Sequence, residues 1–154
     1  MPDDQTTETT GFYPPMGFYF QVNVQDIQGK NEGSFQEVSG LNIKLGKEDI
    51  KEGGENRFIH RLPSRPQFEN LVLKRGMVKG SKLLDWIEDA TQQFIFEPKT
   101  VTIILMDADG TPLVTWQFSN AYPVSYQVSP FKAQEGAIVL ETVELCYDYF
   151  QRLP

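Results

Sequence analysis

The side chains able to do chemistry are few, and their spacing suits none of the common mechanisms. His60 is the sole histidine and Cys146 the sole cysteine, so a histidine-based triad would have to use His60 itself. Ser64 lies close by, but neighbours so near along a strand and turn rarely make a working nucleophile–base pair; a structural His60 is expected. Among the carboxylates, Asp107 and Asp109 share a turn, while Glu141 and Glu144 sit three apart on a strand and point to opposite faces. Cys146 falls in an apolar strand and reads as a buried, inert thiol, and alone it can form neither an intrachain disulfide nor a cysteine-based metal site.

Two stretches imitate ligand-binding motifs and fail in detail. Gly76-Met77-Val78-Lys79-Gly80-Ser81-Lys82 lies between a strand and a helix, where a phosphate-binding loop would lie. That loop needs four residues between its glycines, then Lys, then a hydroxyl that reaches magnesium. Here the gap is short, Ser precedes Lys, and Leu83 takes the hydroxyl position, so a glycine-hinged turn with a helix cap is expected. Asp107-Ala108-Asp109-Gly110 begins like a calcium loop, but Pro112 and Val114 replace oxygen donors and no glutamate closes it. A hairpin turn is the better reading. No cofactor, metal or enzyme activity is expected.

Composition narrows the classes further. The chain has 154 residues, enough for one domain with a real core. Eleven Phe, six Tyr and two Trp favour strands. A net charge of −7 repels a phosphate backbone, which argues against a sequence-reading nucleic-acid binder. Such repulsion would suit a conduit through which a polyanion slides. No apolar run approaches a membrane span, and the acidic, polar N-terminus does not resemble a secretory signal. A cytoplasmic site of synthesis is expected.

The elements follow from periodicity. Residues 1–11 are acidic and threonine-rich and read as a flexible arm ahead of one domain over 12–154. Alternation predicts a first strand over Gly17–Gln25 and a second over Phe35–Leu45, broken at Ser39-Gly40. Gly46–Arg57 reads as a mixed-charge hairpin loop. A third strand, Arg57–Leu62, ends at Pro63, and Ser64-Arg65-Pro66 turns into a strand from Phe68 to Arg75. The one helix follows, capped by Ser81, with Leu83, Leu84, Ile87, Ala90 and Phe94 on its apolar face. Strands at Thr100–Met106 and Leu113–Phe118, a bend at Asn120–Val124 into another strand, and a long last strand at Ala137–Tyr149 complete about seven or eight strands. The fold class expected is mainly β with one helix: an antiparallel sandwich or partly open barrel. So small a domain with so many strands has exposed edges, and a ring of copies whose edges join into one barrel would remove them.

Six segments then carry a resemblance. Tyr13-Pro14, Glu37-Val38-Ser39-Gly40-Leu41, Leu73-Lys74-Arg75-Gly76, Asp85-Trp86, Asn120-Ala121-Tyr122-Pro123-Val124 and Glu141-Thr142-Val143-Glu144-Leu145 stand in the order and spacing of one family, from about Tyr13 to Arg152. Together they resemble the inner tube proteins of contractile injection systems and contractile phage tails. The resemblance implies hexameric rings whose strands close a wide β-barrel and which stack into a tube inside a contractile sheath. It implies as partners the protein itself, the sheath protein, baseplate or initiator and cap proteins, and cargo effectors (or DNA) in the lumen, within a phage-tail-like particle and without membrane insertion of the subunit. The Gly46–Arg57 hairpin would correspond to the family's extended loop. Lys47, Glu48, Asp49, Lys51, Glu52, Glu55 and Arg57 would then set register between subunits by charge pairing. The helix around Trp86 would lie outside the barrel, facing the sheath. The alternative in the same scaffold is a tube-initiator or adaptor ring, or a low-order binding module.

Overall fold

The computed structural model of the chain describes residues 19–29, 32–51, 53–54, 57 and 59–154. The arm expected over 1–11 and the Phe12–Pro15 lead-in lie outside them. Among the described residues are nine strands and one helix. They run β1 (Phe20–Val24), β2 (Glu37–Ser39), β3 (Ile43–Ile50), β4 (His60–Phe68), β5 (Leu71–Gly76), α1 (Lys82–Gln92), β6 (Lys99–Met106), β7 (Pro112–Val128), β8 (Leu140–Cys146) and β9 (Tyr149–Leu153). Every pairing is antiparallel.

β7 organises the sheet. Its first half pairs with β6 on one side and β9 on the other, from Thr115 to Ser119. Its second half pairs with β8, which continues to β5 and β2. Between the halves, Asn120 takes a positive φ of 54° and the register slips between Pro123 and Ser125. An extra residue unpaired in one strand bends it and raises its twist. The bend predicted at Asn120–Val124 is thus present, but it kinks one 17-residue strand rather than ending it. The kink brings both halves onto one core. Val22 and Val24 of β1, Val101 and Ile103 of β6 and Phe118 of β7 meet Leu71, Leu73, Val143 and Leu145 from the other half. The alternation read in the first strand holds, since Val22 and Val24 are buried while Gln21 and Asn23 are exposed.

The helix starts where the sequence indicates. Ser81 is its N-cap, accepting from the Leu83 N–H, and Leu83, Trp86, Ile87 and Ala90 are buried. Trp86 also donates its indole N–H to the Glu97 carbonyl at 2.8 Å, which folds the chain back after the helix. Phe94 corrects the expected apolar face. The helix ends before it, its φ is +57°, and it is 81% exposed.

Three further boundaries differ, each for a local reason. The break at Ser39-Gly40 separates two strands in two different sheets, because Gly40 turns at φ +92° with its α-carbon against the Asn70 carbonyl. The third strand runs through Pro63 and Pro66 to Phe68, and no turn forms at Ser64–Pro66. Proline lacks a donor but is tolerated where one edge needs none, and β4 pairs only with β3. The long last strand divides at Tyr147-Asp148 into β8 and β9, both lying along β7. Cys146 at the end of β8 is half-buried, not enclosed as expected.

Gly40 gives the first test. A methyl group there would collide with the Asn70 carbonyl and hold alanine at a left-handed φ. Gly40→Ala is expected to cost about 2–4 kcal/mol in urea unfolding, combining backbone strain with displacement of the neighbouring strand.

Candidate functional site: a buried polar knot and the assembly surfaces it supports

Arg75 and Glu141 are adjacent cross-strand partners on β5 and β8, facing the interior at 1% and 0% exposure. Arg75 Nε donates to Glu141 Oε2 at 3.0 Å, and its Nη2 donates to Ser81 Oγ at 2.8 Å. Tyr126 of β7 donates its hydroxyl to the other Glu141 oxygen at 3.1 Å. Ser81 Oγ in turn donates to Glu32 Oε2 at 2.7 Å, while the Lys82 N–H donates to Glu32 Oε1 at 2.7 Å. The guanidinium lies 5.4 Å from the Phe35 ring centre. One connected set of charges therefore ties the β1–β2 connection, the start of α1, and strands β5, β8 and β7 together. No buried side-chain nitrogen or oxygen among the described residues lacks a partner.

The titration of this knot follows from its surroundings. Burial pushes the Glu32 carboxyl up, but the Ser81 and Lys82 hydrogen bonds and the Arg75 charge outweigh it and hold it below the usual range. Burial and the bond to Glu141 raise the Tyr126 phenol. Tyr147, buried and donating to the Glu69 carbonyl at 2.6 Å, is pushed up to about 12, by burial first and then by Cys146 and Glu69. Lys99 is a further buried charge, 3.5 Å from Glu97 and 3.9 Å from Asp26. Sequence reading found Ser81 and considered Glu141, but missed Arg75, Glu32 and Lys99. The available signal was a charge on the inward phase of each of two apolar strands.

The residues considered for catalysis stay apart. His60 and Ser64 lie on the protruding β4. Asp107 Oδ1 accepts the N–H groups of Asp109 and Thr111 and so builds the turn, with Gly110 at φ +84°. Glu144 faces outward and accepts from Asn70. A groove of 780 Å³ over β1 is lined by Gln21, Asn23, Gln25, Thr102 and Gln117 with Asp26 and Glu32 near one end. It gathers no nucleophile with a base.

The hairpin residues form a different kind of surface. β3 and β4 make a two-stranded ribbon that packs extensively only on itself. Lys47, Glu48 and Asp49 lie within β3, so much of the predicted loop is strand; Lys51 follows it, and Lys51 and Arg57 are exposed. Glu52 and Glu55 lie outside the described residues. Asp49 pairs with Arg61 at 3.7 Å across the ribbon. Ile43, Leu45, Ile50, Ile59 and Leu62 are each 43–65% exposed. In register, Ile43 and Leu45 face with Phe68 and Pro66, whereas Ile50 and Leu62 lie on the opposite face beyond the slip at Leu45/Lys47. Ile43 and Leu45 thus point to one side near the root, and Ile50 and Leu62 to the other farther out.

The ribbon is exposed on both faces, and the sheet it leaves has open edges among the described residues. Residues 16–151 match the model of the T4-like virus tail tube protein gp19 family. The chain belongs to that family. It is accordingly a structural tube protein. A chain in the cryo-EM structure of the anti-feeding prophage baseplate is 28% identical, with a TM-score of 0.83 over 92% of this chain and 97% of that one. One in the sheath–tube complex of an extracellular contractile injection system is 31% identical, with a TM-score of 0.77 over 92% of each chain. Hcp1 from Flavobacterium johnsoniae, at 17% identity and a TM-score of 0.52 over 88% of this chain and 94% of that one, shares the fold. No curated protein sequence matches the chain.

The knot generates two predictions. Arg75→Met leaves the Glu141 carboxylate buried and uncompensated and is expected to cost about 3–5 kcal/mol in urea unfolding. Adding Glu141→Leu should recover more than half of that loss, because the remaining apolar pair has no charge to desolvate. Glu32, held below its ordinary value in the fold, contributes stability that is present above about pH 4.5 and is lost as pH falls through its folded value. In acid titrations followed by circular dichroism, Glu32→Gln should flatten the decline below about pH 4.5 relative to wild type.

Proposed function

We propose that this chain is the repeating subunit of the rigid inner tube of a contractile injection apparatus. Six copies form a ring, rings stack, and the lumen conducts effector cargo (or DNA, in a phage) when the sheath contracts. The observation that carries this reading is the half-sheet β2-β5-β8 and the second half of β7. Among the described residues β2 ends the path, and residues 122–128 of β7 pair with β8 alone, so both edges of the half-sheet are open. Strand edges recruit partners, and a ring in which the β2 edge of each copy meets the β7 edge of the next leaves none exposed. The outward face of that half-sheet, with Val72, Lys74, Thr142, Glu144, Ser125 and Gln127, would line the conduit. Catalysis has no part in this role, and the described site offers no group positioned for it.

Partners follow from the relatives. The similar chains come from baseplate, sheath–tube and cap structures, at 27–31% identity over more than nine-tenths of this chain. Sheath, baseplate and cap proteins are therefore the proposed neighbours of the assembled tube, in a phage-tail-like particle. No described helix is long and apolar enough to cross a membrane. Lys47, Glu48, Asp49, Lys51, Glu52, Glu55 and Arg57 on the ribbon and its tip set subunit register in this reading. A second reading, a terminal or initiating ring subunit, has support in the match to the anti-feeding prophage cap structure, at 27% identity and a TM-score of 0.80 across 99% of both chains.

Negative-stain electron microscopy over a concentration series tests both. Rings that stack into tubes support the repeating subunit; rings that never stack shift the assignment to the terminal ring. Compact single particles at every concentration would overturn the ring. Deleting Lys47–Glu55 is expected to leave the far-ultraviolet circular dichroism of the body intact, since the ribbon packs on itself, while abolishing stacks. Tubes of normal length from that variant would remove the role assigned to the hairpin.

A further inference from the structure

The edge strand β2 is weakly held by the usual means. It is three residues long and pairs with β5 over Glu37–Ser39, with one further bond from the Gln36 N–H to the Lys74 carbonyl. A ladder so short on an open edge opens easily. The cross-strand pair Glu37–Lys74, 3.7 Å apart, is exposed and adds little. Support from the core is incomplete as well. Val38 lies opposite the buried Leu73 and shares its inward face, yet it is only half-buried. Among the described residues a groove of 280 Å³ opens beneath the strand, between Val38 and Leu41 on one side and Phe20, Ile103, Leu105 and Trp116 on the other. A strand above a groove has room to tilt, and tilting misaims the free N–H and C=O groups along its open edge.

Directional bonds before and after the strand supply what ladder and core do not. Upstream, the Glu32 carboxylate accepts the Lys82 N–H and the Ser81 hydroxyl, each at 2.7 Å. Arg75 Nη1 donates to the Glu32 carbonyl at 3.5 Å and lies 3.6 Å from its carboxylate. The Phe35 ring then sits over the same guanidinium. The chain therefore enters β2 already fixed to the start of α1 and to β5. Bonds to an ionised carboxylate are about twice as strong as neutral ones, and the positive end of a helix favours that charge.

Downstream, Gly40 turns against the Asn70 carbonyl, and Asn42 donates its side-chain amide to Glu69 Oε2 at 2.7 Å. Glu69 is itself held. Its Oε1 lies 2.9 Å from Lys44 Nζ, and its carbonyl accepts the hydroxyl of the buried Tyr147 at 2.6 Å. Glu32 and Asn42 thus bracket β2, and each ties it to an element other than its own ladder.

We propose that Glu32 and Asn42 are positioning residues for assembly, holding β2 in place as the edge that β7 of the next copy joins. Neither touches the neighbouring copy; both act through the strand between them. The assembly role rests on the tube-subunit reading, whereas the anchoring is a property of one copy.

Backbone hydrogen exchange, measured below the concentration at which copies associate, reads the anchoring without any ring. Asn42→Ala and Glu69→Ala each remove the same exposed bond. Each is expected to speed exchange over 36–39 at least fivefold, with β8 exchange and the urea unfolding midpoint unchanged. Glu69→Gln keeps an acceptor for the Asn42 amide and should stay within about twofold of wild type. The double variant Asn42→Ala/Glu69→Ala should be no worse than either single change, because one bond is lost in all three. Glu32→Gln combined with Asn42→Ala should multiply the separate effects, since the two anchors share no partner. In sedimentation velocity, Asn42→Ala and Glu32→Gln are expected to raise the protein concentration at which rings appear at least tenfold, and Glu69→Gln to leave it near wild type. Unchanged exchange over 36–39 in every variant would overturn the anchors. Faster exchange with rings at the wild-type concentration would overturn their part in assembly. A wild-type protein that forms no ring at any concentration would overturn the tube reading and the assembly role with it, and exchange would then decide the anchors alone.

Discussion

A guanidinium and a carboxylate shut between two strands set the terms for the rest of this fold. Arg75 and Glu141 occupy positions that apolar side chains would fill more cheaply, and each removes the other's desolvation penalty only at good geometry. Their remaining hydrogen-bonding capacity is taken up by Ser81 and Tyr126. The start of the helix, the kinked strand β7 and the centre of the half-sheet are therefore fixed relative to one another by directional bonds, not by area burial alone. An apolar contact at this point would allow small slips; a network this connected would have to break to allow one. For a subunit repeated many times around and along a tube, where small angular errors accumulate, that rigidity is the property required.

The kink in β7 does the complementary work. Its first half has partners on both sides, whereas its second half has β8 on one side only. The same strand is thus interior to the protein at one end and an edge at the other. The aromatic cluster from Phe94 to Tyr122 sits beside this change, and the helix reaches it because the Trp86–Glu97 hydrogen bond reverses the chain. Local turn chemistry, core packing and the outer surface meet within a few residues.

Much of this was legible in the chain. Alternation located β1 because one of its faces lies on the core, residue type and bounding turns located β5, β6 and β8, and Ser81 after Gly80 located the helix start. The ribbon was misread because period-two patterning reports burial, and β3 and β4 are exposed on both faces. Beyond Leu45 no buried face left an alternation to read, and Pro63 and Pro66 looked like stops when they occupy a strand whose other side pairs with nothing among the described residues. Phe94 continued the helical spacing by composition, although the helix had already ended. The resemblance of the six segments gave the family, but not the charged knot: sequence shows that Arg75 and Glu141 interrupt apolar runs, and only the register shows them opposite each other.

That Ile43 and Leu45 point to one side of the ribbon and Ile50 and Leu62 to the other has its own consequence. A ribbon with one greasy face is satisfied by one neighbour; this one has two half-faces pointing apart and needs two. In a stack of rings, an interior copy would have both covered, whereas a copy at either end would keep one bare. The ends of such a tube then differ chemically from its middle even though every subunit is identical. Growth and termination become the same problem, that of which molecule next covers the bare half-face.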